Sequence, residues 1–349
     1  MSVDEASTRM APALGGAPPP PTSTTPSAAT RWRRALSFRN VGALYVWLIL
    51  IVVFSFWAPE TFPHWDTVRQ VLNGNAVTAL VALSLVIPLS AGVFDLSIGY
   101  ALGLCNVLLA YLIVRAGMGV DLALLLTLVA ALAIGVVNAV VVVVFRIDSF
   151  IGTLATGSLL LAGVTFVSGN SEIVGSELTH GFFSDIANTQ IGGISLSVLY
   201  MLIVAVVIWF VLEHTVSGRW LYASGFNADA ARLAGIPVRR LRFIGLVVSA
   251  IIAGGIAGIT VSSQIGSGST TVGPPYLLNA FAAAFLGATQ LRQGRFNAWG
   301  TLIAVLMLGT GTAGLGLAGA PVWAPDVFTG VVLLAALAVT RAERNAAMG

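Results

Sequence analysis

The sequence predicts an all-α fold, a polytopic transmembrane helical bundle of about ten spans with both termini cytoplasmic. Of its 349 residues, 57% are hydrophobic and 9% are charged, whereas soluble domains average about 25% charged residues. Apolar runs of about 20 residues recur along the chain, and each is long enough to cross a bilayer core of about 30 Å. The alternating segments of about ten residues that a transmembrane barrel needs are absent.

The chain divides into a tail, a membrane domain and a short C-terminal tail. Residues 1–30 are rich in Pro, Ala, Ser and Thr and cannot bury enough apolar surface to fold, which predicts a disordered cytoplasmic tail over residues 1–40. The transmembrane domain covers 41–340, and residues 341–349 form the C-terminal tail. The predicted spans are 41–58, 75–93, 97–114, 121–145, 149–168, 194–213, 243–261, 276–290, 298–318 and 325–340.

The basic residues support this topology. All 17 of them are arginine, and with the N-terminus inside only Arg69 and Arg115 fall outside, as the positive-inside rule requires. The predicted outside loop, 169–193, carries acidic residues instead. Because the chain has no lysine, it cannot contain a Walker A phosphate loop. If ATP drives its work, a separate polypeptide hydrolyses it.

The predicted cytoplasmic loop 214–242 has the signals of a short isolated helix. Asn227 can cap its N-terminus, and Asp229 lies in the first turn, where the helix dipole favours an anion. Gly235 suits a left-handed closing position, and Pro237 prevents continuation. A helix of about seven residues is unstable alone, so we expect it to dock onto a separate protein.

Asp95 is an acidic residue flanked on both sides by apolar sequence, at the predicted inner ends of two spans. A carboxylate there is costly in lipid and should face protein or a cavity. Pro88 and Gly92 just before it favour a broken helix of the kind that lines transport sites. Asp95 can also cap the third span by accepting from the amides of Ser97 and Ile98, a role compatible with lining a path.

Further polar residues interrupt the apolar runs that follow. Asn138 is expected to hydrogen-bond across helices, or alternatively to face a pore. Asp148 or Ser149 can cap the fifth span. Thr153 and Thr156 lie three residues apart and share a helix face, although threonine hydroxyls also bond back to their own helix.

Small residues at helix-packing spacing mark several spans. Gly254 and Gly258 form a GxxxG pair, and Ala131 and Gly135 repeat the spacing. Without a hydrophobic driving force in lipid, such helices associate through close backbone approach. Cys105 is predicted to be a small buried packing residue.

No enzyme constellation is present in the sequence. The three histidines are scattered without metal-ligand spacing, and one cysteine can form neither an intrachain disulfide nor a thiolate cluster. We therefore predict no catalytic residues and no metal site.

Four stretches, in order, carry a family resemblance. They are Ala91–Gly99, Ser149–Thr156 with Asn138 before it, Gly225–Ile236 and Leu278–Thr289. Together they resemble the motifs of inner-membrane permease subunits of bacterial ABC importers for sugars, of the ribose and xylose type. The likeness covers roughly residues 40–340.

The resemblance implies a multi-pass permease subunit of the bacterial inner (plasma) membrane that forms the translocation path for a monosaccharide or similar polar small molecule. It implies three kinds of partner, namely an ABC ATPase subunit, an extracytoplasmic solute-binding protein and a second permease copy, identical or not. No cofactor is expected on this chain, since ATP and Mg would be bound by the ATPase, and no nucleic acid is expected. The alternatives are an ABC permease for branched-chain amino acids or nucleosides, or an ion-coupled secondary transporter.

The resemblance also assigns residues. Coupling to the ATPase falls on Asn227, Ala228, Asp229, Ala230, Ala231, Arg232, Leu233, Ala234 and Gly235. Of these we expect Ala230, Ala231 and Leu233 to enter a groove of the ATPase and Arg232 to pair with its acidic rim. The translocation path falls on Asp95, Ser97, Asn138, Phe150, Thr153, Thr156 and Asn279.

Overall fold

The computed structural model of the chain describes residues 38–291 and 294–348. The predicted N-terminal tail lies outside the described residues, apart from its last few, which begin the first helix. The long helices are α1 (Phe38–Trp57), α2 (Trp65–Ser90), α3 (Ile98–Ala110), α4 (Val120–Ala139), α5 (Ser149–Ser168), α8 (Leu196–His214), α11 (Val238–Ala250), α13 (Gly273–Ala288), α14 (Ala298–Leu317) and α15 (Ala324–Met348).

Short elements connect or extend these helices. They are β1 (Ile173–Val174), α6 (Ser176–Thr179), α7 (Gly181–Asn188), β2 (Gln190–Ile191), β3 (Ile194–Ser195), α9 (Val216–Phe226), α10 (Ala228–Leu233), α12 (Gly258–Ile265) and β4 (Ser267–Gly268). Helices α3 and α4 end in the π-helical turns Tyr111–Arg115 and Val140–Val144, and α11 continues through Ile251–Ala257, also π-helical, into α12.

The all-α polytopic bundle is confirmed. Within the described residues, seven helical stretches are long and apolar enough to cross a membrane, and they begin at residues 65, 98, 120, 149, 196, 238 and 298. Helices α1, α13 and α15 match the three remaining predicted spans in position but have shorter apolar stretches. Helix α15 continues to Met348, past the predicted end of the last span.

The second span begins at Trp65 rather than at residue 75, because tertiary contacts support its polar first turns. The Asn73 amide group donates to the Gly193 carbonyl at 3.0 Å and accepts from the Ser195 amide at 2.9 Å. These bonds tie the start of α2 to the β2–β3 hairpin. An Asn-Gly-Asn sequence that favours a helix break is thereby held in a helix.

The loop 169–193 is more ordered than its sequence suggests. Strand β1 pairs antiparallel with β4, and β2 pairs with β3 across a turn in which Gly192 and Gly193 both have positive φ. Such a turn matches the twist of a two-residue hairpin. Helix α7 packs on α12 through the buried Ser263 hydroxyl, which donates to the Phe183 carbonyl at 2.8 Å.

Close backbone approach in the bundle occurs where the small residues predicted it. Cys105 is fully buried in α3, and a side chain at Gly254 or Gly258 would press against it. A Cβ atom at Gly135 of α4 would lie 2.7 Å from the Cα atom of Val247 in α11. The interpretations of Cys105 as a packing residue and of these glycines as helix-contact residues are confirmed.

Candidate functional site

Five of the predicted path residues meet in one buried polar network below the end of α2. Asp95 and Ser97 lie in the turn before α3, Asn138 on α4, and Thr153 and Thr156 on α5. The Ser97 hydroxyl donates to Asp95 Oδ1 at 2.6 Å, and the Asn138 amide group donates to the Ser97 hydroxyl at 2.6 Å. Both of these bonds are buried, so the network joins α4 to the turn and fixes the Asn138 side chain.

Helix α5 completes the network. The Thr156 hydroxyl contacts Asn138 Oδ1 at 2.6 Å, and the Thr153 hydroxyl accepts from the Leu96 amide at 2.9 Å while donating to its own helix. Asp148 caps α5 through the amides of Phe150 and Ile151. The expectations that Asn138 bonds across helices, that the two threonines share a buried face and that α5 is capped here are confirmed.

The Asp95 side chain stabilises the turn before α3 rather than capping α3 directly. Its Oδ1 accepts from the amide and the hydroxyl of Ser97, but not from the amide of Ile98 as we had expected. The physical reason is that Ser97 itself has helical φ and ψ and forms the N-cap. The acceptor role of Asp95 is thus confirmed for one of its two expected amides.

The second Asp95 oxygen, Oδ2, is buried and has no hydrogen-bond partner among the described residues; the same holds for the hydroxyl of Ser249 on α11. Burial raises the pKa of the Asp95 carboxyl, and the nearby hydroxyls of Ser97 and Ser249 and the Ser97 amide oppose that rise. The carboxyl is therefore costly to bury, and the Ser97 hydroxyl, the Ser249 hydroxyl and the Ser97 amide partly compensate that cost.

The other two predicted path residues lie apart from this network. Phe150 is half exposed and packs edge-on against Phe94, with ring centroids 6.3 Å apart. Asn279 lies on α13 and lines a separate cavity between α2, α13, α14 and α15. These two groups could not be separated from the sequence, because the order of motifs along the chain does not encode how deep each residue lies in the membrane.

The turn of Asp95 touches the helices of the predicted cytoplasmic loop. Gly92 has φ +74° and lies against Gly225 of α9, where any side chain would strike the backbone of residues 90–92. Arg242 Nε donates to the Ala91 carbonyl at 3.3 Å, and Arg239 donates to the Val143 carbonyl at 3.1 Å. The two arginine side chains thus donate hydrogen bonds to carbonyl groups at helix C-termini, where the helix dipole favours a cation.

The short loop helix forms as its sequence predicts. It is α10, of six residues, and Asn227 Oδ1 accepts from the amides of Asp229 and Ala230 at 3.1 and 3.0 Å. Gly235 closes it with φ +78°, and Pro237 precedes α11. The capped helix, its left-handed closing residue and its end before the proline are confirmed, with one residue fewer than expected.

Its surface differs from the expectation at Ala231, whereas the pairing of Arg232 with an acidic rim of the ATPase stays a prediction. Ala231 is only 4% exposed and faces its own chain, so it cannot enter a groove of another protein. Arg232 pairs with Asp229 on the same helix at 2.7 Å, which is the i, i+3 geometry of a surface ion pair. Leu233 is 92% exposed and Phe226 is 83% exposed, so these two residues present the apolar surface.

Sequence reasoning missed two parts of this region. Helix α9 was not predicted within the loop 214–242, because its glycines and serines do not favour a helix; Thr215 caps it by accepting from the Gly218 amide at 3.2 Å. The hydrogen bonds that Arg239 and Arg242 donate to backbone carbonyls were also not predicted, since the arginines served only to predict the topology. The cluster of Arg239, Arg240 and Arg242 shortly after Pro237 was the available clue to them.

No group of three or more His, Cys, Asp or Glu side chains within the described ranges is placed to hold a metal ion. The described molecule thus offers buried polar bonds, an open cavity and a protruding capped helix on a membrane bundle. These are features of a transport subunit of the permease class.

The chain belongs to the family described as branched-chain amino acid transport system / permease component, which matches residues 68–337. It is similar to the ribose import permease protein RbsC of Escherichia coli, with 33% identity over 303 residues, 85% of this chain and 92% of the relative. The Bacillus subtilis protein of the same name is 31% identical over 306 residues, covering 87% and 93%. The autoinducer 2 import system permease protein LsrD of Escherichia coli is 31% identical over 258 residues, covering 73% and 78%.

No solved structure matches the chain. The family and the relatives confirm the resemblance to ABC import permeases that the four motifs carried. The chain is accordingly a multi-pass membrane protein of the inner-membrane permease kind.

Proposed function

We propose that this chain is the permease of an ATP-binding-cassette importer that carries a monosaccharide or a similar polar small molecule. It spans the membrane about ten times, with both termini in the cytoplasm, and pairs with a second permease copy. An extracytoplasmic binding protein delivers the solute. A separate ATPase binds ATP and Mg and docks on the 214–242 loop, so this chain supplies the path and the mechanical connection.

The observation that carries the proposal is the position of α10. A helix of six residues, too short to persist without its caps, projects an almost fully exposed leucine at Leu233. Its neighbour α9 lies directly against the turn that holds Asp95. An exposed apolar docking element joined to a buried polar network is the arrangement that a subunit driven by another protein needs.

Uptake by the reconstituted importer tests the proposal. Proteoliposomes that contain the permease, its ATPase and its binding protein should accumulate labelled D-ribose only when ATP is present on the ATPase side. The permease alone should hydrolyse no ATP. Uptake that follows a proton or sodium gradient without an ATPase would favour an ion-coupled secondary transporter and refute the proposal.

The family description supports a second candidate substrate class, branched-chain amino acids. The curated relatives, whose names state ribose and autoinducer 2 import, favour the sugar class. Labelled L-leucine in the same proteoliposomes separates the two, since ATP-dependent leucine uptake without ribose uptake would reverse the assignment.

Cysteine labelling tests the proposed orientation. In a Cys105→Ser background, a cysteine at His180 should react with an impermeant maleimide in intact cells, and one at Arg232 should react only after the membrane is opened. The opposite pattern would place the loop 214–242 outside the cytoplasm, where α10 could not contact the ATPase.

A further inference from the structure

A second polar site lies away from the Asp95 network. A cavity of about 240 Å³ opens between α2, α13, α14 and α15. At a liquid-water share of about 30 Å³ per molecule, it has room for about eight waters or one small polar solute. Six polar side chains line it: Asn75, Thr78, Asn279, Thr312, Asp326 and Thr329.

The cavity extends inward from the surface of the bundle, since Asp326 is exposed and Asn75 and Asn279 are half-buried. Asn75 is in the middle of α2, and a Cβ atom at Gly309, in the middle of α14, would overlap its amide group. Asp326 is in the first turn of α15, so the polar lining extends from a helix end to mid-height. At 1.5 Å per residue, Asn75 is about 24 Å along α2 from Ala91, so this site is distinct from the Asp95 network.

Several of its polar groups have unused hydrogen-bonding capacity. The side chains of Asn279 and Thr78 have no hydrogen-bond partner among the described residues. The Thr312 and Thr329 hydroxyls donate to carbonyls of their own helices at 3.1 and 2.9 Å, which leaves their oxygens free to accept. Polar side chains that only packed helices together would bond to each other, as Asn138 and Thr156 do, and these do not.

The chemistry of the lining selects a class of ligand. Amide and hydroxyl groups with one carboxylate can both donate to and accept from hydroxyl groups. Among the described lining residues there is no arginine or histidine to pair with a carboxylate or phosphate. The carboxylate of an amino acid or the phosphate of a phosphorylated solute would find no cation among these residues and would be repelled by Asp326, which costs free energy in a partly dry site. The remaining lining, with Ala283, Val305 and Leu308, suits the C–H faces of a sugar ring.

We propose that this cavity binds a neutral polyhydroxylated solute of pentose size and is a recognition site on the import path. The inference rests on the proposed function and deepens it, because it places solute selection in the α2–α13–α14–α15 cavity and excludes amino acids there. Asn279 and Thr78 make the discriminating hydrogen bonds.

A measurement of weak solute binding to the purified permease in lipid nanodiscs tests the assignment directly. Saturation-transfer NMR with D-ribose and with L-leucine reports contact at millimolar affinity and needs neither ATPase nor binding protein. We expect signal from ribose and none from leucine. A hydrogen bond to a neutral partner is worth up to about 1.5 kcal/mol, or about tenfold in affinity, so Thr78→Val and Asn279→Leu should each weaken ribose binding up to about tenfold.

Two further variants separate binding from folding. Asn279→Asp keeps the shape and the acceptor oxygen and should retain ribose binding within about threefold. Thr127→Val removes a buried hydroxyl that bonds only to Ala123 of its own helix and should bind ribose like the wild type. Thermal melting of every variant shows whether it folds.

Each result has a defined meaning. Ribose signal that survives in the Thr78→Val, Asn279→Leu double variant, a wild type without ribose signal, or a stronger leucine signal would each overturn the assignment. ATP-driven ribose uptake with unchanged KM in that double variant would refute the cavity and leave the proposed function standing. If the double variant loses ribose binding but the wild type shows no ATP-driven uptake, the proposed function is refuted and the cavity assignment stands.

Discussion

Replacing Leu233 with aspartate should uncouple this permease from its ATPase without unfolding it. The side chain is 92% exposed, so its substitution removes no contact within the chain, and surface changes of this kind usually alter stability by about 0.5 kcal/mol or less. If α10 docks into a groove, the leucine becomes buried there. Burying a leucine is worth roughly 1.5–3 kcal/mol, or about 10- to 150-fold in affinity.

The assay is titration of the purified ATPase onto the permease in nanodiscs, with stimulated ATP hydrolysis measured in the same samples. Ile191→Asp is the matched control, because Ile191 is 70% exposed on the β2–β3 hairpin, at the other end of α8. We expect Leu233→Asp to weaken ATPase binding at least tenfold and Ile191→Asp to leave it unchanged. Wild-type affinity and wild-type stimulation in Leu233→Asp would refute the assignment of α10 as the coupling element.

Three further outcomes are expected for the bundle itself. Gly135→Ala should lower the melting temperature, because the new Cβ atom would lie 2.7 Å from the Cα atom of Val247 and overpacking costs about 1–3 kcal/mol. Gly316→Ala is the control and should not lower it, because the space around Gly316 is open. Cys105 should react with maleimide only after denaturation, and fast labelling in native nanodiscs would contradict its burial. Burial raises the pKa of the Asp95 carboxyl from its ordinary 3.8, so its contribution to stability is fully present below pH 3.8 and declines as the pH rises through the raised pKa. The melting temperature of Asp95→Asn should therefore rise relative to that of the wild type as the pH increases. Parallel plots of melting temperature against pH for the two proteins would disprove this.

The sequence predicted what depends on local chemistry. The caps of α5 and α10, the left-handed Gly235 and the small residues around Cys105 all act over a few residues, so their patterns are legible without tertiary information. Asn138 was recognised as a polar residue bonding across helices because an amide in an apolar run has few other ways to be satisfied.

What the sequence could not predict depends on which helices are neighbours. Asn73 stabilises an extended α2 only because the β2–β3 hairpin reaches it. Ala231 was expected to face a partner protein, yet the direction of a face on a six-residue helix is set by how the loop folds back on the bundle. The grouping of Asn279 with the cavity rather than with Asp95 likewise follows from helix arrangement, which spacing along the chain does not encode.

The contact between Gly92 and Gly225 has a mechanical consequence. Side chains between two elements act as compliant spacers, since rotamer changes absorb small displacements before the backbone moves. Here the two backbones touch with no side chain between them, and Arg242 ties the same turn to α11. A displacement of α9 therefore acts directly on the turn that carries Asp95, because no side chain lies between the two backbones to absorb it by a rotamer change.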